Sequence, residues 1–170
     1  LMLLAAVAAG TARILLGTTS FLLPLRNPVQ AAEQVAVLDQ LCNGRLILGV
    51  GRGYAPPTLR AFEVDPRDKR TLFETRLRRM QRAWSGAPLD GEGEGAALKL
   101  DPLPVQQPHP PIWVAAFGPK ALAQAGRLGL PYLASPVETL AGLVENYAMH
   151  AAAVDAAGHR PPMEVPVMRT

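Results

Sequence analysis

The sequence predicts an α/β fold, a parallel sheet covered by helices. Three observations predict it. Residues 46–50 and 112–116 are short, continuously apolar runs with the length of strands buried on both faces. Between such runs lie segments whose apolar residues recur at helical spacing. Gly, Pro and Asn punctuate the joints, so strand and helix alternate along the chain. Two closures compete at this level, a doubly wound sheet and a (β/α)8 barrel. Both place ligands at the carboxyl ends of the strands.

The elements follow in order. Residues 1–9 read as a helix closed by Gly10, a residue suited to a helix C-terminus. Residues 13–18 read as a strand, with the apolar run continuing to Leu23. Asn27-Pro28 is an N-cap followed by proline at the first helical position. Ala31, Val35, Leu38 and Cys42 then mark the inner face of a helix that Asn43-Gly44 ends. Residues 46–50 form the next strand, which makes a βαβ unit with an expected right-handed crossover. Phe73, Leu77, Met80 and Trp84 form one stripe of a further helix, with Arg78 and Arg82 facing water. Residues 85–107 are rich in Gly and Pro and read as an excursion holding one short strand at 98–100. Strands at 112–116, 132–134 and 165–168 alternate with helices at 119–128 and 137–157, which end at Gly129 and Gly158. Pro166 suits only the start of its strand.

Composition bounds the class. A chain of 170 residues suits one domain, and an apolar content of 49% excludes disorder. The net charge of +3 is mild, and no basic run carries interleaved aromatics, which argues against nucleic acid. Cys42 is the single cysteine, so no intrachain disulfide forms, and a reducing, cytoplasmic setting fits. The apolar start lacks a basic stretch before it and is too short to span a bilayer, which argues against a signal peptide and a membrane partner. The first residue is Leu1 and a helix begins at once, so residues 1–170 are expected to be a segment of a longer domain.

The residues just past the strands are the ones to examine. Gly49-Val50-Gly51-Arg52-Gly53-Tyr54 lacks the third glycine of a dinucleotide fingerprint, and Pro56 and Pro57 interrupt the expected helix start. Its glycines suit a backbone lying close to a planar or phosphorylated ligand, and the Arg52 guanidinium can grip a phosphate with two hydrogen bonds. The alternative is a tight turn with a solvated arginine. Ala116-Phe117-Gly118-Pro119-Lys120-Ala121 runs from a strand into a helix start, where the Gly118, Lys120 and Ala121 amides and the Lys120 charge make an anion site. The alternative there is an ordinary helix start in water. Thr18-Thr19-Ser20 can bond a ligand ring or the local backbone. His109 precedes a strand, on the wrong side for catalysis, and reads as structural. His150 and His159 have no ligand-like spacing, so no metal is expected. The arginines between 67 and 82 read as a solvated helix face.

The ordered set Leu16-Gly17-Thr18, Leu23-Pro24-Leu25-Arg26-Asn27-Pro28-Val29-Gln30, Leu38-Asp39-Gln40-Leu41, Gly44-Arg45-Leu46, Gly49 to Tyr54 and Pro104 to Ala115 resembles the bacterial luciferase-like monooxygenase family. The resemblance covers nearly the whole chain. It implies a (β/α)8 barrel, with residues 1–170 as the central part of one barrel domain. It implies FMN and an oxidoreductase that uses reduced flavin and oxygen on a small organic substrate; the alternatives are hydride transfer with the deazaflavin F420 on the same fold, or a non-catalytic flavin-binding homologue or inactive fragment. A flavin reductase partner and a homo-oligomer belong to the same expectation. By the resemblance, Thr19 and Ser20 lie against the flavin ring, Arg52 and Tyr54 lie on the phosphate side, and Ala116, Gly118, Lys120 and Ala121 form the phosphate cradle. Many members carry a second glycine and a Ser or Thr in that cradle, where this chain has Phe117 and Lys120. The family's opening strands and usual catalytic histidine have no counterpart here, so no catalytic acid or base is assigned.

Overall fold

The computed structural model describes residues 1–89, 98–162 and 166–168. Two compact units divide the chain. Leu1–Leu48 with Arg52–Pro111 make the first, and Gly49–Gly51 with Ile112–Thr170 make the second.

The first unit begins with α1 (Met2–Ala9), followed by the short strands β1 (Leu16–Gly17) and β2 (Phe21–Leu22). A 3₁₀ helix at Leu23–Leu25 leads into α2 (Pro28–Leu41), then β3 (Leu46–Gly51), α3 (Pro56–Ala61) and α4 (Lys69–Trp84). β1 and β3 are parallel, with Leu16 opposite Leu46 and Gly17 opposite Ile47, and β2 also pairs with β3. In the second unit β4 (Ile112–Ala115), α5 (Pro119–Arg127), β5 (Tyr132–Leu133) and α6 (Leu140–Ala156) follow the last residues of β3. β4 and β5 are parallel, with Val114 opposite Tyr132. The strand order is β1-β3-β4-β5, with β2 off that path. Spatial order thus follows chain order with no reversal, as in a barrel and unlike a doubly wound sheet.

Local chemistry explains the elements. Asn27 caps α2: its side-chain oxygen accepts from the Val29 and Gln30 amides at 2.9 and 3.3 Å. Asn43 and Gly44, both at positive φ, turn the chain out of α2 into β3. Phe73, Leu77, Met80 and Trp84 are all buried along α4, as the stripe predicts, and Arg78 and Arg82 are exposed. The Trp84 indole N–H donates to Ala32 O on α2 at 3.0 Å. In the second unit Gly126 lets α5 and α6 touch, because a Cβ there would stand 2.6 Å from Ala153 Cβ and 2.8 Å from His150 O. Gly129 and Gly158 end their helices at positive φ, where glycine meets no steric penalty.

Several expectations are corrected. Gly10 has φ −94°, so it is not a left-handed cap. At the end of α1, Val7 O and Ala8 O accept from the Gly10 and Thr11 amides and Val7 O also from the Thr11 hydroxyl, while the Arg45 guanidinium adds bonds to Ala8 O at 3.3 Å and Thr11 O at 2.8 Å. The strand expected at 13–18 shrinks to Leu16–Gly17, because only this stretch matches the register of Leu46 and Ile47. Residues 98–100 form no strand, although the Leu89 amide donates to Leu98 O at 2.9 Å. α6 begins at Leu140 rather than 137, because Ser135 and Glu138 form a turn and the Thr139 hydroxyl caps the helix at Gly142 N, 3.1 Å away. α3 departs from the sequence reading, in which Pro56 and Pro57 interrupt a helix start; they occupy its first turn, where proline is tolerated. The last expected strand is represented by a parallel bridge between Ala134 and Val167, while Val165 lies outside the described residues.

Candidate functional site

β3 ends at Gly51, so Arg52 and Tyr54 stand at its carboxyl end as expected. Gly53 has φ +77°, a conformation that favours glycine and turns the chain toward α3. The Arg52 guanidinium is half-buried, and its pKa is pushed down from 12.5 to about 10, by burial first and by the charge of Arg70 second. It stays cationic at neutral pH. Two like charges therefore lie near enough to repel, with one of them partly stripped of water. Arg70 lies in the first turn of α4, and its neighbour Lys69 donates from Nζ to Gly53 O at 3.2 Å. The start of α4 thus brings two cations to the loop after β3. Tyr54 is 90% exposed and stands apart in water.

The sequence reading places Arg70, with the other arginines between 67 and 82, on a solvated helix face. The apolar stripe fixes that helix's phase but not where its first turn lies against the Gly53 loop. Arg76 also departs from that reading: its Nη1 donates to Leu23 O at 3.2 Å and Pro24 O at 2.5 Å, and burial lowers its pKa. Arg78 pairs with Glu74 at 2.9 Å on the exposed face, as a solvated arginine should.

Thr19 and Ser20 lie between β1 and β2, with Thr19 exposed and Ser20 half-buried. The peptide bond joining them is cis. Thr18 holds the end of β1 by donating from its amide to Ile47 O at 3.2 Å.

The second unit carries the other loop. Ala116 is buried at the end of β4, Phe117 is 75% exposed, and Gly118 is the N-cap of α5 at φ +81°. A Cβ at Gly118 would meet nothing within 4 Å, so there is open room beside this backbone. The Ala121 amide donates to Gly118 O at 2.9 Å. Of the three amides expected to face an anion, that bond leaves Gly118 and Lys120 as the two the helix does not engage. The Lys120 side chain is exposed, and Ala121 is buried.

The histidines are held by backbone. His109 Nδ1 lies 2.9 Å from Pro110 O, and the ring packs 5.6 Å from Trp84. His150 Nε2 lies 2.9 Å from Leu130 O, and His159 Nε2 lies 3.0 Å from Arg127 O. Among the described residues no three His, Cys, Asp or Glu side chains cluster as metal ligands, and no helix is long and apolar enough to cross a membrane. Sequence reasoning missed one polar cluster at the carboxyl end of β5, where the Glu138 carboxylate accepts from Tyr132, Asn146 and the Ser135 amide. Its members are scattered from 132 to 146 and form no motif.

Comparison with known proteins places the chain. The model of the luciferase-like monooxygenase family matches residues 1–170. An uncharacterized protein, y4wF, of Sinorhizobium fredii is 35% identical over 129 residues, which are 74% of this chain and 38% of that protein. The alkanal monooxygenase alpha chain of Photorhabdus luminescens is 28% identical over 128 residues, 74% of this chain and 35% of that one. The chain therefore spans under half the length of these relatives. Among solved structures, the monooxygenase RslO1 from Streptomyces bottropensis superposes with a TM-score of 0.80 at 29% identity, covering 98% of this chain and 52% of that one. The oxygenating constituent of 3,6-diketocamphane monooxygenase from Pseudomonas putida, in complex with FMN, gives 0.79 at 23% identity, covering 95% and 49%. The coenzyme F420-dependent tetrahydromethanopterin reductase of Methanopyrus kandleri gives 0.79 at 20% identity, covering 98% and 52%. The last two likenesses speak for the fold alone. With the strand order and the family match in agreement, the chain belongs to the luciferase-like monooxygenase family and is a segment of its parallel β/α barrel.

Proposed function

We propose that this protein is an FMN-dependent monooxygenase acting on a small organic substrate, and that residues 1–170 are the central part of its one barrel domain. The observation that carries the reading is Arg52, half-buried beside Arg70 at the carboxyl end of β3. A guanidinium can take a phosphate with two parallel hydrogen bonds. The Gly118 backbone fits a cofactor too: it has open room where a side chain would stand, and the Gly118 and Lys120 amides lie at the start of a helix whose dipole favours negative charge.

Arg52 is assigned to the cofactor's phosphate, and Arg70 reinforces it. In the second unit, Ala116, Gly118, Lys120 and Ala121 are assigned to the phosphate cradle. Thr19 and Ser20 are assigned to the ring, and Tyr54 to the outer phosphate side. When bound, the flavin supplies the redox chemistry, and the chain's own residues bind and orient it. An F420-dependent hydride transfer is the second reading, since the F420-dependent reductase shares the fold. A flavin reductase partner, a homo-oligomer and a cytoplasmic setting belong to the same proposal. Absorption spectra of the purified full-length protein, titrated in turn with FMN and F420, test it. Saturable spectral change with FMN supports the reading, and change with F420 alone replaces it by the second.

A further inference from the structure

Glu138 is 9% exposed, and three neutral donors converge on its carboxylate. The Tyr132 hydroxyl donates to Oε2, the Asn146 amide donates to the same oxygen at 2.6 Å, and the Ser135 N–H donates to Oε1 at 2.6 Å. Tyr132 is raised in pKa, by burial first and then by Glu138, so it stays a donor at neutral pH. The two ends of the loop between β5 and α6 are thereby tied to one carboxylate. Glu138 N–H donates to Ser135 O at 3.2 Å and closes the turn between them. Tyr147 packs its ring 4.9 Å from Tyr132 and donates to Pro166 O at 3.0 Å, which backs the cluster.

Burying a carboxylate is a poor way to gain stability, since apolar residues of similar volume would serve as well or better. What a carboxylate does better is fix several donors in one geometry. The loop it fixes stands at the carboxyl end of a parallel strand, where ligands gather in barrels. Its tip is Val137, a branched apolar side chain left 82% exposed. A stiff loop that holds an apolar side chain out in water at that end has the form of a substrate contact.

We propose that Glu138 is a positioning residue that sets the 134–139 loop so that Val137 contacts the apolar part of an organic substrate. This rests on the functional reading above for the substrate's class, and not for its cofactor. The probe is n-decanal, chosen because a relative is an alkanal monooxygenase. Calorimetric titration of decanal and, separately, of FMN into the full-length protein tests it, with the variants Val137→Asp and Glu138→Gln. Val137 lies in water, so its replacement leaves the fold intact. Glu138→Gln keeps the size but turns one acceptor into a donor that faces another donor. Val137→Asp is expected to weaken decanal about tenfold or more and Glu138→Gln about fivefold, with FMN affinity unchanged in both. A wild type that binds decanal but does not bind FMN sinks the flavin reading and leaves this one standing. Failure of the wild type to bind decanal, wild-type decanal affinity in both variants, or equal loss of decanal and FMN in Glu138→Gln, overturns it.

Discussion

Arg45 holds Thr11 twice, donating from Nη1 to the hydroxyl at 3.1 Å and from Nη2 to the carbonyl at 2.8 Å. The same guanidinium also reaches Cys42 O, Ile14 O and Ala8 O, at 2.8, 2.8 and 3.3 Å. One planar side chain before β3 therefore bonds Ala8 O at the end of α1 and the loop that follows, and ties them to Cys42 at the end of α2. An ammonium cannot reproduce this fork. Arg45→Lys is expected to cost about 1.5–3 kcal/mol, read by urea denaturation of the full-length protein. An unchanged midpoint would mean that water satisfies these carbonyls equally well.

The contact between α5 and α6 turns on Gly126. Helix propensity alone favours alanine there by about 1 kcal/mol. Against that, the added Cβ would lie 2.6 to 2.9 Å from Ala153 Cβ, His150 O and Val154 N, two of which are backbone atoms that cannot rotate away. Overpacking of this kind costs about 1–3 kcal/mol, so the net effect of Gly126→Ala is destabilising. A thermal melt that rises on this substitution contradicts the close approach.

Along α4, Leu77 is 1% exposed, so Leu77→Ala is expected to cost about 2–5 kcal/mol. Arg78→Ala removes the pair between its exposed guanidinium and Glu74 one turn earlier, worth about 0.3–0.5 kcal/mol. The two variants compared by chemical denaturation check the helix phase. Similar losses in both would place the stripe wrongly.

Much of this fold was legible in the sequence. Asn27-Pro28 announced α2, the stripe from Phe73 to Trp84 announced α4, and Gly129 and Gly158 marked the ends of α5 and α6, because each rests on chemistry within a few residues. The errors lie where distant partners decide. β1 is short because its pairing with β3 is short, and the loop after α1 is held by Arg45, 34 residues beyond Thr11. The candidate site residues were legible in the same uneven way. Arg52 and Gly118 could be singled out as candidates by their place after strands. Arg70 and Glu138 could not, since one depends on how α4 starts and the other on donors gathered from three elements.

Gln106 shows the same dependence on distant partners. Its backbone N–H and its side-chain amide donate to the buried Asp39 carboxylate at 2.9 and 2.7 Å, and the amide also reaches Leu46 O at 2.8 Å. Gln106→Ala leaves Asp39 short of a donor where water is excluded. The expected loss is about 1–3 kcal/mol, and Gln106→Glu should lose more, because it sets two carboxylates together. Equal stability of both variants at neutral pH, by guanidinium denaturation, would show that Asp39 has other support.

The assignment of Arg52 to a flavin phosphate is tested most directly by titrating FMN and riboflavin into full-length wild type and Arg52→Ala. The two ligands share the ring and differ by the phosphate. A charge-assisted contact worth about 1.5–3 kcal/mol predicts FMN weakened roughly 10- to 100-fold in the variant, with riboflavin nearly unchanged. Equal losses for both ligands, or none for either, would contradict it.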